Sequence, residues 1–172
     1  MIIVETKRLS IRKITEADAQ ALSRVLADPI VMKYSTVGVH SKEQIIDYIA
    51  NCQKQYALNG YGHWAIYHSI SGEFIGVCGL NKHNLDSGDV IHINYRLATK
   101  QQGKGYAVES TLGILAFAKN SLKLSVVHAL IEAENIPSIN VVNKAGFKFL
   151  KSSLFRGFTV DVYQVLLSNV IK

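Results

Sequence analysis

Gly103 and Gly105 lie in the run Gln102-Gly103-Lys104-Gly105-Tyr106-Ala107, between a strand-like stretch at 90–97 and a helical stretch reaching Asn120. A turn so poor in side-chain bulk brings backbone N–H groups close to a ligand. The positive end of the following helix dipole then favours an anion there, so the chemistry indicated is the grip of a phosphate. A helix start with no ligand would use similar residues, and the glycines alone do not decide between the two. Two rival phosphate motifs are excluded. Val108 stands where a dinucleotide fingerprint needs its third glycine, and no Gly-x4-Gly-Lys-Ser/Thr run occurs. His63, His68, His83 and His128 lie apart without metal-ligand spacing, so no metal site is expected.

The elements that must position this turn follow from periodicity. Residues 9–12 alternate as a strand. Thr15 with Asp18 opens a helix striped by Ala21, Leu22, Val25 and Leu26, and Asp28-Pro29 ends it. Ser41 with Gln44 opens a second helix that runs to Asn59-Gly60. Residues 64–67 and 74–80 flank Ser71-Gly72 as a hairpin, and 90–97 is a further strand. A helix from Gly103, a strand at 126–131, a short helix at 137–145 closed by Gly146, and strands at 147–150 and 160–167 complete the chain. The sum predicts an α+β fold: a mixed, mostly antiparallel sheet of about seven strands with helices on both faces. The helix between 90–97 and 126–131 makes those strands parallel neighbours.

Residues 1–172 read as one domain, with only two prolines and no linker-like run. A net charge of +6 and a pI of about 9.3 favour an anionic partner. The cations are scattered rather than gathered in a block, which disfavours nucleic acid. Cys52 and Cys78 suggest reduced thiols in a cytoplasmic protein, not a disulfide framework. Residues 1–5 are too short an apolar run for a signal peptide, and no stretch reaches membrane-spanning length.

The run 102–107 fits the Gln/Arg-x-x-Gly-x-Gly/Ala signature of the GNAT superfamily of acetyl-CoA-dependent N-acetyltransferases. Asn135-Ile136-Pro137-Ser138 followed by Lys144-Ala145-Gly146-Phe147 resembles that family's second motif. The opening Thr6-Lys7-Arg8-Leu9-Ser10-Ile11-Arg12 and the run Asp28-Pro29-Ile30-Val31-Met32 resemble its RimJ/RimL-like branch of ribosomal-protein N-acetyltransferases. The resemblance spans nearly the whole chain. It implies the acyl-CoA N-acyltransferase fold, in which the two parallel strands splay apart around the pantetheine arm.

The resemblance also implies roles. The amides of Gln102, Gly103, Lys104, Gly105, Tyr106 and Ala107 would bind the coenzyme pyrophosphate. The backbone of Tyr95, Leu97 and Ala98 would pair with the pantetheine amides, and one N–H there would polarise the thioester carbonyl. Asn135 would contact the coenzyme arm, although it could equally cap the helix after it, and Lys144 belongs to the same motif. Many relatives protonate the leaving thiolate with a tyrosine at the position held here by Val142. That departure moves attention to Ser138, itself a possible helix cap. His92 is the candidate base, because a histidine titrates near 6.5 and alternation puts it on one face with Asn94 and Arg96. Met32, Tyr34, Trp64, Asn94 and Arg156 are expected around the acceptor.

The expected reaction is direct transfer from acetyl-CoA to a primary amine, without a metal and without an acetylated cysteine. The acceptor is a protein N-terminus or a small molecule. The rival reading is a non-catalytic acyl-CoA-binding module on the same fold. A monomer and a homodimer are both compatible with the family.

Overall fold

Alternating apolar and polar residues in short runs, punctuated by turn residues, build one sheet of eight strands rather than about seven. The computed structural model describes residues 1–86 and 88–169. The strands are β1 (Ile2–Glu5), β2 (Leu9–Lys13), β3 (His63–His68), β4 (Phe74–Leu85), β5 (Gly88–Leu97), β6 (Val126–Ile131), β7 (Lys148–Phe155) and β8 (Phe158–Leu166). Their spatial order is β1-β2-β3-β4-β5-β6-β8-β7. The additional strand is β1, whose apolar run pairs antiparallel with β2.

Every neighbouring pair is antiparallel except β5 and β6. These two are parallel, as the helical crossover between them requires. They pair only at His92 opposite His128. Beyond that point β5 stays paired with β4 as far as Leu97, while β6 follows β8, so the sheet opens into a cleft.

Helix α1 (Ala19–Leu26) differs from the expected start. Thr15 and Asp18 do form a reciprocal capping box, but over a 3-10 turn at Glu16–Asp18 that precedes the α-helix. Helix α2 (Lys42–Asn59) begins at the Ser41–Gln44 capping box, where Gln44 N–H donates to Ser41 Oγ at 3.2 Å, and it stops at Gly60. Helix α3 (Tyr106–Asn120) packs on β1, β2, β4 and β5, and α4 (Ile136–Lys144) packs on β6 and α3. The two faces of β5 carry different helices. Asn94 reaches His63 and through it Tyr48 of α2, whereas Tyr95 reaches α4. Leu9, Ile11, Ile66, Ile75, Leu80, Ile114 and Leu115 fill the core with Trp64. Among the described residues no helix is long and apolar enough to cross a membrane.

Candidate active site

The glycine turn opens α3 with no side-chain cap. Gly103 and Gly105 take φ of +74° and +82°, a left-handed backbone that glycine adopts without strain. Among the described residues, the N–H groups of Gly103, Lys104, Gly105, Tyr106 and Ala107 have no acceptor. A Cβ built on Gly103 would meet nothing within 4 Å, so the space beside the turn is open. Free donors, open space and the helix dipole coincide at one spot.

A second layer holds the turn in place, and it involves residues that motif reading underused. Glu109, one turn into α3, accepts from Thr6 Oγ1 at 2.6 Å, from Arg8 N–H at 2.8 Å and from Arg8 Nε at 2.6 Å. Burial pushes this carboxyl up, but the bonds from Thr6 and Arg8 outweigh it and hold the group below its ordinary range. Arg8 also donates through Nη1 to the Lys104 carbonyl at 3.0 Å and lies over the Tyr106 ring at 4.6 Å. The segment before β2 therefore anchors one loop carbonyl and leaves the loop's N–H groups free. The Thr6-Lys7-Arg8 resemblance is the signal the sequence carries for this clamp, and no motif singles out Glu109.

Where β5 and β6 part, residues 93–97 line the cleft on one side and Ala129–Ile131 on the other. Gln102 Nε2 donates to the Leu97 carbonyl at 3.1 Å, so that carbonyl is already engaged. Asn135 caps α4, its Oδ1 accepting from Ser138 N–H at 3.4 Å, which leaves its amide nitrogen available. Ser138 lines the cleft, its hydroxyl beside the Tyr95 phenol. Val142 is fully buried in the core. A second hydroxyl reaches the start of α4 from Tyr95, which donates to the Ser138 carbonyl at 3.0 Å. Burial raises the Tyr95 phenol well above its ordinary range, so it stays protonated. Lys144, in the last turn of α4, also lines the cleft.

The other half of the cavity lies on the α2 side of the sheet. His63 is its hub. Its Nε2 faces the amide nitrogens of Asn81 at 2.8 Å and Asn94 at 2.9 Å, and its Nδ1 lies 2.6 Å from the Tyr48 hydroxyl. Two amide donors at Nε2 leave the ring hydrogen on Nδ1, directed at Tyr48. Burial, then the charge of Arg96, pushes His63 down to about 3, so it is neutral. Without metal-ligand spacing His63 carried no motif, and only the fold brings it beside Asn94.

Met32, Tyr34, Asn94 and Arg156 all line this cavity, together with His92. Tyr34 donates to the Glu134 carbonyl at 3.2 Å, and Arg156 donates to Thr36 Oγ1 at 3.2 Å. These bonds tie the loop after α1 to both rims and roof a cavity of about 930 Å³. Two expectations need correction. Trp64 does not reach the cavity; it is fully buried, stacked on Tyr56 and edge-on to Phe117. His92 does not titrate near neutrality, since burial and then the neighbouring His83 push it down to about 4. It is a neutral, weakly basic imidazole beside Phe155.

The sequence profile of the acetyltransferase (GNAT) domain matches residues 8–148. The chain is 31% identical over 168 residues to the uncharacterized N-acetyltransferase p20 of Bacillus licheniformis, across 92% of this chain and 91% of that protein. Among solved structures, a GNAT-family acetyltransferase from Bacillus anthracis has a TM-score of 0.82 at 22% identity, across 98% of this chain and 100% of that one. RimL, a ribosomal alpha-N-protein acetyltransferase, has a TM-score of 0.81 at 17% identity, across 96% of this chain and 94% of that one. At such identities the two structures speak for the fold alone. The profile match and the p20 relationship go further: the chain belongs to the GNAT acetyltransferase family and is an N-acetyltransferase.

Proposed function

We propose that the protein moves an acetyl group from acetyl-CoA directly to a primary amine, within a complex that holds both at once. One observation carries the coenzyme assignment: five unpaired N–H groups at residues 103–107 sit at the mouth of a split parallel pair. A diphosphate satisfies those donors, which an apolar ligand would leave unpaired. Residues 102–107 then grip the pyrophosphate, and the β5 edge at Tyr95–Ala98 pairs with the pantetheine amides. The free amide nitrogen of Asn135 turns toward the same arm, and Lys144 adds positive charge beside it.

The amine nitrogen bonds to the thioester carbon while a β5 N–H stabilises the developing oxyanion. The C–S bond then breaks, the amine sheds a proton, and the thiolate takes one up. Ser138 is the proposed donor to the thiolate, being a hydroxyl that lines the cleft at the start of α4, with the Tyr95 phenol beside it. His92 at about 4 is too weakly basic to take a proton from an ammonium at neutral pH. It serves as a neutral hydrogen-bond acceptor, and the proton passes to water. Both cysteines are buried free thiols with pKa pushed up, consistent with direct transfer and a reducing cytoplasmic setting. The resemblance of residues 6–12 supports placing the chain in the RimJ/RimL-like branch.

The test is calorimetric titration with acetyl-CoA, followed by mass spectrometry of an amine and peptide panel incubated with enzyme and acetyl-CoA. Saturable binding and acetylated product are expected. Absence of both would refute the reading. Ser138→Ala should lower kcat while leaving acetyl-CoA affinity intact, and an unchanged kcat would remove Ser138 from the proton path.

A further inference from the structure

The acceptor half of the cavity is strongly cationic, and its guanidinium groups lack acidic partners. Arg96 lines it from β5, partly buried, and its guanidinium makes no hydrogen bond or ion pair among the described residues. Arg156 lines it from the β7–β8 turn, where its contacts are neutral: Thr36 Oγ1 and the Phe155 ring. Lys82 is spent on Asp89 at 2.6 Å. Among the described wall residues the one carboxylate is Glu132, and it pairs with neither arginine. Two residues before Arg96, on the same strand face, Asn94 lines the cavity with a buried Oδ1 that has no partner.

We propose that the acceptor is a primary amine that also carries a carboxylate, the carboxylate held by Arg96 and Arg156 and the amine by Asn94 Oδ1. This rests on the acetyl-transfer reading of the same cavity and names its substrate class. An enclosed guanidinium without an acid is costly, and a planar carboxylate matches its fork of donors. Burial and the nearby Arg156 charge lower the Arg96 pKa, a penalty that a bound anion removes. The same positive field favours the uncharged form of the amine, which is the reactive one, and so lessens the need for a strong base. A polyamine would bring cations against cations. The unpaired Asn94 oxygen supplies the acceptor that an amine N–H needs.

The test compares kcat/KM for matched acceptors with acetyl-CoA: an amino acid, its carboxamide and its decarboxylated amine, spermidine, and a peptide with an acidic N-terminal segment beside its neutral counterpart. The carboxylated member of each pair should lead by about 10- to 100-fold, the range of charge-assisted hydrogen bonds. Preference among free amino acids points to a small molecule; preference confined to the acidic peptide points to a protein N-terminus. Arg96→Gln should abolish the preference, with calorimetry against acetyl-CoA reporting on the coenzyme half. Arg156→Asn, in an exposed turn whose positive φ suits asparagine, should weaken it even if the Arg96 variant folds poorly. Equal or faster turnover of carboxamides or spermidine overturns the proposal and leaves acetyl transfer standing. Turnover of no amine at all overturns acetyl transfer and this proposal together.

Discussion

The half of the cavity proposed for the coenzyme and the half proposed for the acceptor are built differently. The first is made of backbone: a glycine turn, the start of α3 and an unpaired strand edge. Its parts come mostly from a single strand–turn–helix unit, with Arg8 and Glu109 fixing its shape. The second is made of side chains from the α1–α2 loop, α2, β3, β4, β5 and the β7–β8 turn. A ligand common to a whole family suits main-chain donors, which every sequence supplies. An acceptor that varies suits side chains, which can be exchanged without moving the sheet.

The contrast breaks most sharply at the turn. Gly105→Glu places a carboxylate among the unpaired N–H donors of the turn, at a φ of +82° that disfavours any side chain. Acetyl-CoA affinity should fall by about 100-fold, close to 3 kcal/mol, read by calorimetry on the folded variant. Undiminished affinity would show that the turn does not hold the coenzyme. Removing the clamp is the next largest effect. Glu109→Ala leaves the donors of Thr6 and Arg8 without their acceptor and should cost about 2 kcal/mol in urea unfolding. The same variant should weaken acetyl-CoA binding, whereas acceptor preference among the amines still acetylated should persist.

The acceptor half should show itself in pH dependence. His92 binds a proton below about 6.5 in the unfolded chain but only below about 4 when folded. Between those values the unfolded state takes up more protons. Stability therefore falls as pH drops through that window, by about 1.4 kcal/mol per pH unit, is fully present above it and levels off below it. Subtracting the curve of His92→Gln isolates this contribution; identical slopes would mean that His92 is not buried as described. For activity, kcat/KM should follow ionisation of the amine, with no inflection near 6.5 from a catalytic imidazole. The smallest effect is Tyr48→Phe. Loss of the Tyr48–His63 bond should cost about 1 kcal/mol and raise the acceptor KM, with acetyl-CoA affinity unchanged. A drop in acetyl-CoA affinity instead would blur the two halves.

The same division governs what the sequence could reveal. The strand–turn–helix at 90–120 was legible because glycine spacing and apolar period are local, and the parallel β5–β6 pair followed from the crossover. The capping box at Ser41–Gln44 was equally local. The box at Thr15–Asp18 was seen too, although a 3-10 turn intervenes where the sequence pattern suggested an immediate α-helix. The grouping of His63, Asn81 and Tyr48 is not legible, because neighbours across a sheet or on a facing helix leave no spacing signature. Trp64 was misplaced because an aromatic reads alike as core or cleft until its face is known. His92 was given its ordinary basicity because burial is a property of the fold.

The proposed coenzyme site stands or falls with the main-chain donors at residues 103–107 and their grip on a diphosphate. Amide NMR during titration with coenzyme A tests it directly. The N–H resonances of Gly103, Lys104, Gly105, Tyr106 and Ala107 should move downfield together and saturate with the calorimetric affinity, while a chain bearing Gly105→Glu shows little change. Saturable binding that shifts other amides and leaves these five in place would contradict the account.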